Sequence, residues 1–286
     1  MTTVDRILLW VIRALAAVSG VLVLLVSGFL ILGAIPALRH VGATRFLLDP
    51  SWHPADPSTR ATFGMLPMIV GSLAATLGAI VLVGPIGLAS AIYCRFYAPA
   101  AVARWYRRII ELLAGIPSVV YGFWGLVFLV PLVMRLRPPG QCLLSGILIL
   151  TFMILPTMSL IADAALGTVP AEILRGAAAL GLGRWTIVRR VAMPACRSGL
   201  CTALILSTGR AIGETMVVLM VCGNVARMPR SVMDPVRTLT ANIALELAYA
   251  QGDHRSALFV TGGLLLVLVL ALVLSAELIS GGRIHE

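Results

Sequence analysis

The sequence repeatedly presents apolar stretches about as long as a lipid bilayer core is thick. A helix needs about 20 mostly apolar residues to cross hydrocarbon, and such stretches lie at roughly 14–35, 67–93, 109–134, 142–166, 198–222 and 257–280. Inside a bilayer every backbone N–H and C=O must be satisfied within the structure, so stretches of this length read as helices. Composition agrees, with 59% hydrophobic and 12% charged residues and a mean hydropathy of +1.00, values foreign to a soluble domain. The expected fold class is all-α, a polytopic membrane protein of about six transmembrane helices with little chain left for a separate soluble domain.

The first apolar stretch follows Arg6 and Arg13 as a signal peptide would, but it exceeds the 7–15-residue core of one and reads as a retained anchor. The formal net charge is +10 and every basic residue is arginine, since the chain contains no lysine. These arginines are scattered among the loops without a basic face interleaved with aromatics, which argues against nucleic-acid binding. Arg95, Arg104, Arg107 and Arg108, then Arg175, Arg184, Arg189, Arg190 and Arg197, fall in the second and fourth connections. By the positive-inside rule that side is cytoplasmic, with both termini inside. Asp163 and Glu277, near the inner ends of their spans, are read as reaching the headgroups or capping the inner loop.

Several chemistries are excluded. Without lysine there is no GxxxxGK[ST] phosphate loop, no Schiff base and no Ser-Lys catalysis. Cys94, Cys142, Cys196, Cys201 and Cys222 are odd in number, lack CxxC spacing and read as buried packing. His40, His53, His254 and His285 are scattered, with no HExxH pattern. No metal site, cofactor or enzyme is expected in this chain.

Two outer loops are long enough to meet another protein: roughly 36–66, with Pro36, Pro50, Pro54 and Pro57, and roughly 223–256. In the second, Leu239, Ile243, Leu247 and Ala250 recur at helical spacing, which suits a short helix serving as a lid or a partner contact. The inner stretch "VPAEILRGAAALGLGRWTIVRRVAMPACRSG" (169–199) is too polar to span. Pro170 suits a first helical position, Gly181 and Gly183 permit a sharp turn, and a second helix runs from Arg184 until Pro194 interrupts it. The pattern is a helix–turn–helix outside the bilayer.

Gly181, Arg184, Trp185, Met193 and Pro194 resemble the cytoplasmic signature loop of ABC-importer permeases. Anchored on Gly181 and Pro194, the family's glutamate position falls on Arg175, with Gly176 and Ala177 where its alanines belong and Ala178 following. "FGMLPMIVGSLAATL", "LAGIPSVVYGFWGL", "GRAIGETMVVLMVCGN" and "RTLTANIALELAYA" resemble the PstC-type permeases of bacterial phosphate uptake, and together they cover most of the chain from residue 60 onward. That resemblance implies a PstA-type permease partner in a heterodimer, two ABC ATPase subunits that bind ATP and Mg and dock on the hairpin, and a periplasmic phosphate-binding protein at the outer loops. It divides the chain into an N-terminal helix with the first periplasmic loop (1–66), a permease core (67–281) containing the coupling loop 167–197, and a cytoplasmic tail (282–286).

The candidate path residues lie in "STGRAIGETMVV" (207–218). A charge at mid-membrane costs about 2.5–3.5 kcal/mol, and a spacing of four lets Arg210 and Glu214 meet on one helical face. On a continuous helix Ser207, Arg210 and Glu214 share that face, flanked by Thr208 and Thr215, while Gly209 and Gly213 form a GxxxG that packs on the other side. Arginine offers a planar two-donor fork suited to phosphate. Arg210 and Glu214 also fall where the resemblance implies residues important for transport. Pro117 removes a backbone hydrogen bond in the third span, and Ser118 and Tyr121 are further candidates to line the path. The function expected is phosphate translocation by alternating access. The alternatives are another oxyanion such as molybdate or tungstate, a passive anion channel, or a membrane scaffold.

Overall fold

The computed structural model describes residues 3–54 and 61–280. Pro57, His285, the side chain of Glu277 and the tail 282–286 lie outside the described residues. The chain runs through α1 (Thr3–Val41), α2 (Ala43–Leu48) and a short antiparallel ladder of β1 (Trp52–His53) with β2 (Thr62–Phe63), in which Trp52 faces Phe63. Next come α3 (Leu66–Ile92), α4 (Ala100–Ala114), α5 (Ser118–Trp124), α6 (Val130–Met134) and α7 (Leu143–Gly167). The hairpin is formed by α8 (Ala171–Ala179), α9 (Arg184–Ile187) and α10 (Met193–Ala195). The chain then continues as α11 (Arg197–Ile212), α12 (Met216–Val221), α13 (Leu239–Glu246) and α14 (Gly252–Ser280).

Among the described residues four helices are long and apolar enough to cross a membrane, and two bent helix pairs raise the possible number of crossings to six. The bends correct the sequence reading. The stretch 109–134 is not one continuous helix: α4 meets the α5–α6 run at 92°, because Pro117 cannot donate to the ladder and Gly115 ends the helix before it. The Leu113 carbonyl freed by that proline accepts the Tyr121 hydroxyl at 2.9 Å. The stretch 198–222 is broken as well, into α11 and α12. Pro36, assigned to the outer loop by the sequence, lies inside α1.

Among the described residues three π turns occur, over Tyr93–Tyr97, Gly125–Leu129 and Val188–Ala192, and each ends two residues before a proline: Pro99, Pro131 and Pro194. A proline ring collides with the carbonyl four residues back, and a widened turn moves that carbonyl aside. At Pro194 the helix therefore carries on through α10, and the sharp turn comes at Cys196, where α11 departs at 76°.

The core lies between α3 and α7, where Ala79, Val83, Ile149, Met153 and Ile154 are wholly buried, joined by Val217 and Val221 of α12. Glycines set the approach. A Cβ on Gly78 would lie 2.5 Å from Ile147, one on Gly87 would lie 2.6 Å from Met158, and one on Gly199 would lie 2.7 Å from Ala165. The Gly209–Gly213 pair does not pack this way: among the described residues nothing lies within 4 Å of a Cβ on Gly209, and Gly213 ends α11. The close packing expected of that GxxxG is made instead by glycines outside any such pattern. Gly78→Ala is expected to cost about 1–3 kcal/mol by overpacking. Gly84→Ala, whose added carbon meets only Leu204 at 3.6 Å, is expected to hold or raise the thermal midpoint. Equal midpoints for the two variants would contradict this account.

α1 spans 39 residues and lies along α14 in the opposite sense, with Gly33 against Phe259 and His40 beside Asp253 at 3.2 Å. Leu15, Leu22, Leu25 and Leu32 on α1 are exposed, as a helix facing lipid requires. Thus α1 begins, and α14 ends, at the end of the bundle that carries the hairpin. A second apolar cluster of Phe46, Trp52, Phe63, Met65, Met68 and Leu239 closes the opposite, loop end.

Candidate functional site

Arg210 lies in the last turn of α11 and its side chain is exposed on the outside of the bundle. Its guanidinium donates to the Thr157 hydroxyl of α7 at 2.8 Å. Among the described residues no carboxylate pairs with it, so the expected Arg210–Glu214 pair is absent. The reason is the break. Gly213 caps α11, Thr215 leads into α12, and Glu214 between them no longer follows the helical register that would carry it over Arg210. The Glu214 carboxylate instead accepts the Val217 N–H at 3.4 Å, and its backbone carbonyl accepts the Thr240 hydroxyl at 2.7 Å. A broken helix in a membrane needs such substitutes for its lost ladder bonds, and α13 supplies one from a loop 26 positions away in the chain.

The polar stripe therefore separates. Ser207 is wholly buried and its hydroxyl has no hydrogen-bond partner. Thr208 bonds back to the Leu204 carbonyl at 2.7 Å, and Thr215 to that of Gly213 at 3.4 Å. Tyr121, half-buried just beyond the bend, gives its hydroxyl hydrogen to the Leu113 carbonyl at 2.9 Å. Ser118 starts α5, and among the described residues no hydrogen bond links it to Arg210. The structure brings together Arg210 and Thr157, on α11 and α7. Thr157 was not singled out from sequence, because its partner is remote in the chain.

The hairpin forms as expected except at Pro194, through which the second helix continues instead of being interrupted. Gly181 has φ +79°, its N–H donates to the Ala178 carbonyl at 3.0 Å, and the Leu182 N–H donates to that of Ala177 at 3.3 Å. This pair of bonds closes a helix through a left-handed residue, which favours glycine. Ala177 is buried, while Arg175, Gly176, Ala178, Arg184, Trp185 and Pro194 are exposed. Leu180 is 83% exposed and Ile173 48%, giving the hairpin an apolar surface beyond what its motif residues indicated. Asp163 is not a loop cap: it holds Arg107 at 2.9 Å and Arg95 at 3.7 Å.

At the loop end α13 packs as a lid. Leu239 is fully buried and its N–H donates to Ser72 of α3 at 2.8 Å, although Leu247 stays exposed. Glu246 is the center of a knot that sequence reasoning missed. It accepts from Trp52 Nε1 at 2.9 Å, from Arg237 at 2.6 Å and from His254 at 2.8 Å, and it is only 6% exposed. Its partners come from the first loop, the second loop and α14, so nothing local marks it.

A family model described as "Binding-protein-dependent transport system inner membrane component" matches residues 84–283. The chain belongs to this family. It is 36% identical over 250 residues to the probable ABC transporter permease protein YqgH of Bacillus subtilis, covering 86% of this chain and 80% of that one. To the phosphate transport system permease protein PstC of Mesorhizobium japonicum it is 33% identical over 290 residues, covering 93% and 87%. The PstC-type resemblance read from the sequence is thereby borne out. In fold it matches a bacterial alginate ABC transporter chain with a TM-score of 0.66 at 15% identity, covering 95% of this chain and 94% of that one. It also matches a chain of the inward-facing MetNI methionine ABC transporter with a TM-score of 0.60 at 21% identity, covering 73% and 91%. The permease is thus an inner-membrane transport component rather than an enzyme, and its bent helices and exposed hairpin belong to the ABC-importer permease fold.

Proposed function

We propose that this permease forms half of the path by which an ATP-driven importer carries inorganic phosphate across the bacterial inner membrane. The observation that carries this reading is Arg210: a guanidinium without a carboxylate partner, exposed at a break in a membrane helix and aimed outward from its own bundle. An unneutralised arginine in hydrocarbon is costly, and the cost falls if a second subunit and a hydrated path cover it. A PstA-type permease is the partner that fits, as relatives at about a third identity are named phosphate transport permeases. The planar fork of Arg210 then offers two parallel donors to a phosphate oxyanion, with the Thr157 hydroxyl beside it.

Two ATPase subunits, holding ATP and Mg, dock on the exposed hairpin around Leu180, Arg184 and Trp185 from the cytoplasm, which puts both termini inside. A periplasmic phosphate-binding protein meets the loop end. ATP binding draws the hairpins of the two permeases together and changes the side to which Arg210 opens, a choice between two packings biased by ligand contacts. Glu214, released from the α12 N–H, can accept a hydrogen bond from a protonated phosphate oxygen, which sulfate lacks at neutral pH. In proteoliposomes of the assembled transporter, unlabelled phosphate is expected to compete with labelled phosphate uptake, and molybdate and sulfate are not. Equal competition by molybdate would reassign the cargo, and uptake without ATP would sink the importer reading in favour of a channel.

A further inference from the structure

The helix α4 (Ala100–Ala114), which the sequence reading folded partly into a span, has three distinct faces. Two contacts fix its roll. The Tyr106 hydroxyl lies 2.7 Å from Ser90 of α3, and Arg107 is bound to Asp163 of α7 at 2.9 Å; Ala103 and Ile110 are buried on the same side. At about 100° per residue, Val102, Trp105, Ile109 and Leu112 then fall within an arc of about 80° turned away from the bundle. All are exposed, Trp105 by 66% and Leu112 by 74%. Arg104 and Arg108 occupy the adjoining arc with Glu111 on its far flank, and all three are exposed. Arg104 bonds only to the Ala100 carbonyl of its own helix at 3.3 Å, and among the described residues no ion pair engages Arg104 or Arg108. Between them Trp105 and Ala101 complete a shallow cleft of about 160 Å³.

This helix stands at 92° to the α5–α6 run that follows it. It sits at the hairpin end, where Asp163 closes α7. A helix with an apolar arc, an aromatic and a basic edge is the form that binds at a membrane interface.

We propose that α4 is a binding site for an anionic phospholipid of the leaflet at the hairpin end. The phosphodiester sits between Arg104 and Arg108 against the Trp105 ring, and the acyl chains lie along Ile109 and Leu112. A free phosphate ion fits the two guanidiniums but makes no use of the apolar arc, which is why the lipid is the occupant favoured. Arg107, held by Asp163, orients the helix and does not touch the headgroup. The site stands apart from Arg210 and does not depend on the cargo proposed above.

Native mass spectrometry of the full chain, equilibrated with phosphatidylglycerol and phosphatidylcholine of equal chain length, tests this. The wild type is expected to retain phosphatidylglycerol in preference. The double variant Arg104→Gln/Arg108→Gln is expected to reduce that preference roughly ten- to thirty-fold, and Arg104→Lys/Arg108→Lys to keep most of it. Both side chains are exposed, so the thermal midpoint should not move, which separates lost binding from lost folding. An unchanged preference in the glutamine variant overturns the proposal. So does displacement of the lipid from the wild type by millimolar inorganic phosphate, which would make this a free-anion site.

Discussion

Arg210→Gln is expected to lower ATP-driven phosphate uptake about 10- to 100-fold, the equivalent of losing a charge-assisted hydrogen bond of about 1.5–3 kcal/mol to the moving anion. Assembly should survive, because the exposed side chain has only the Thr157 hydroxyl as a partner. Glutamine still reaches that hydroxyl but carries neither the charge nor the fork. Arg210→Lys should fall between the two, since an ammonium keeps the charge and loses the parallel donors. Uptake of labelled phosphate by proteoliposomes, normalised to assembled complex, is the measurement. Wild-type rates in the glutamine variant would remove Arg210 from the path. Thr157→Val provides a milder companion: it frees the guanidinium without altering its charge, and its effect should be well below that of Arg210→Gln.

Glu246→Ala is expected to cost about 3–5 kcal/mol of stability, the largest loss anticipated for a single change outside the apolar core. The carboxylate is the common acceptor for Trp52, Arg237 and His254, and the Arg237 side chain is itself only 19% exposed. Removing the acceptor leaves a guanidinium with little access to water, held only by Asn224 and Asn242 at 2.9 and 3.1 Å. Glu246→Gln keeps an acceptor for Trp52 and should cost less. Removing both charges, as Glu246→Met/Arg237→Met, should recover much of the loss, because a buried pair replaced by apolar groups is often near neutral. Thermal unfolding of the purified chain in detergent distinguishes these cases. If the alanine variant melts with the wild type, the knot does not hold the loop end together.

The sequence and the structure agree most where the signal is local. The hairpin was legible because Pro170, Gly181 and Gly183 act within a few residues of themselves, and the left-handed Gly181 is found where the turn required it. The apolar stretches at 67–93 and 142–166 match α3 and α7 within a residue or so for the same reason. Agreement fails where hydropathy averages across a break. The window 109–134 is apolar on both sides of Pro117, so composition alone joins two helices that stand at 92° to each other, whereas the structure separates them at the proline. The Arg210–Glu214 pair failed through one assumption, that the helix continues past Gly213. Glycine permits the stop, but what holds it is Thr240 on α13, whose relation to Glu214 no periodicity shows.

By itself the sequence determined the solvent, the helical class, the hairpin and the presence of an arginine where hydrocarbon should be, because length, hydropathy and turn chemistry are properties of short segments. Only the tertiary structure decided where helices bend, which glycines pack, that Arg210 faces outward without Glu214, and that Glu246 ties the loop end together. Those outcomes depend on carbonyls, carboxylates and side chains meeting across tens to hundreds of residues, and the energy of each meeting belongs to the pair rather than to either segment.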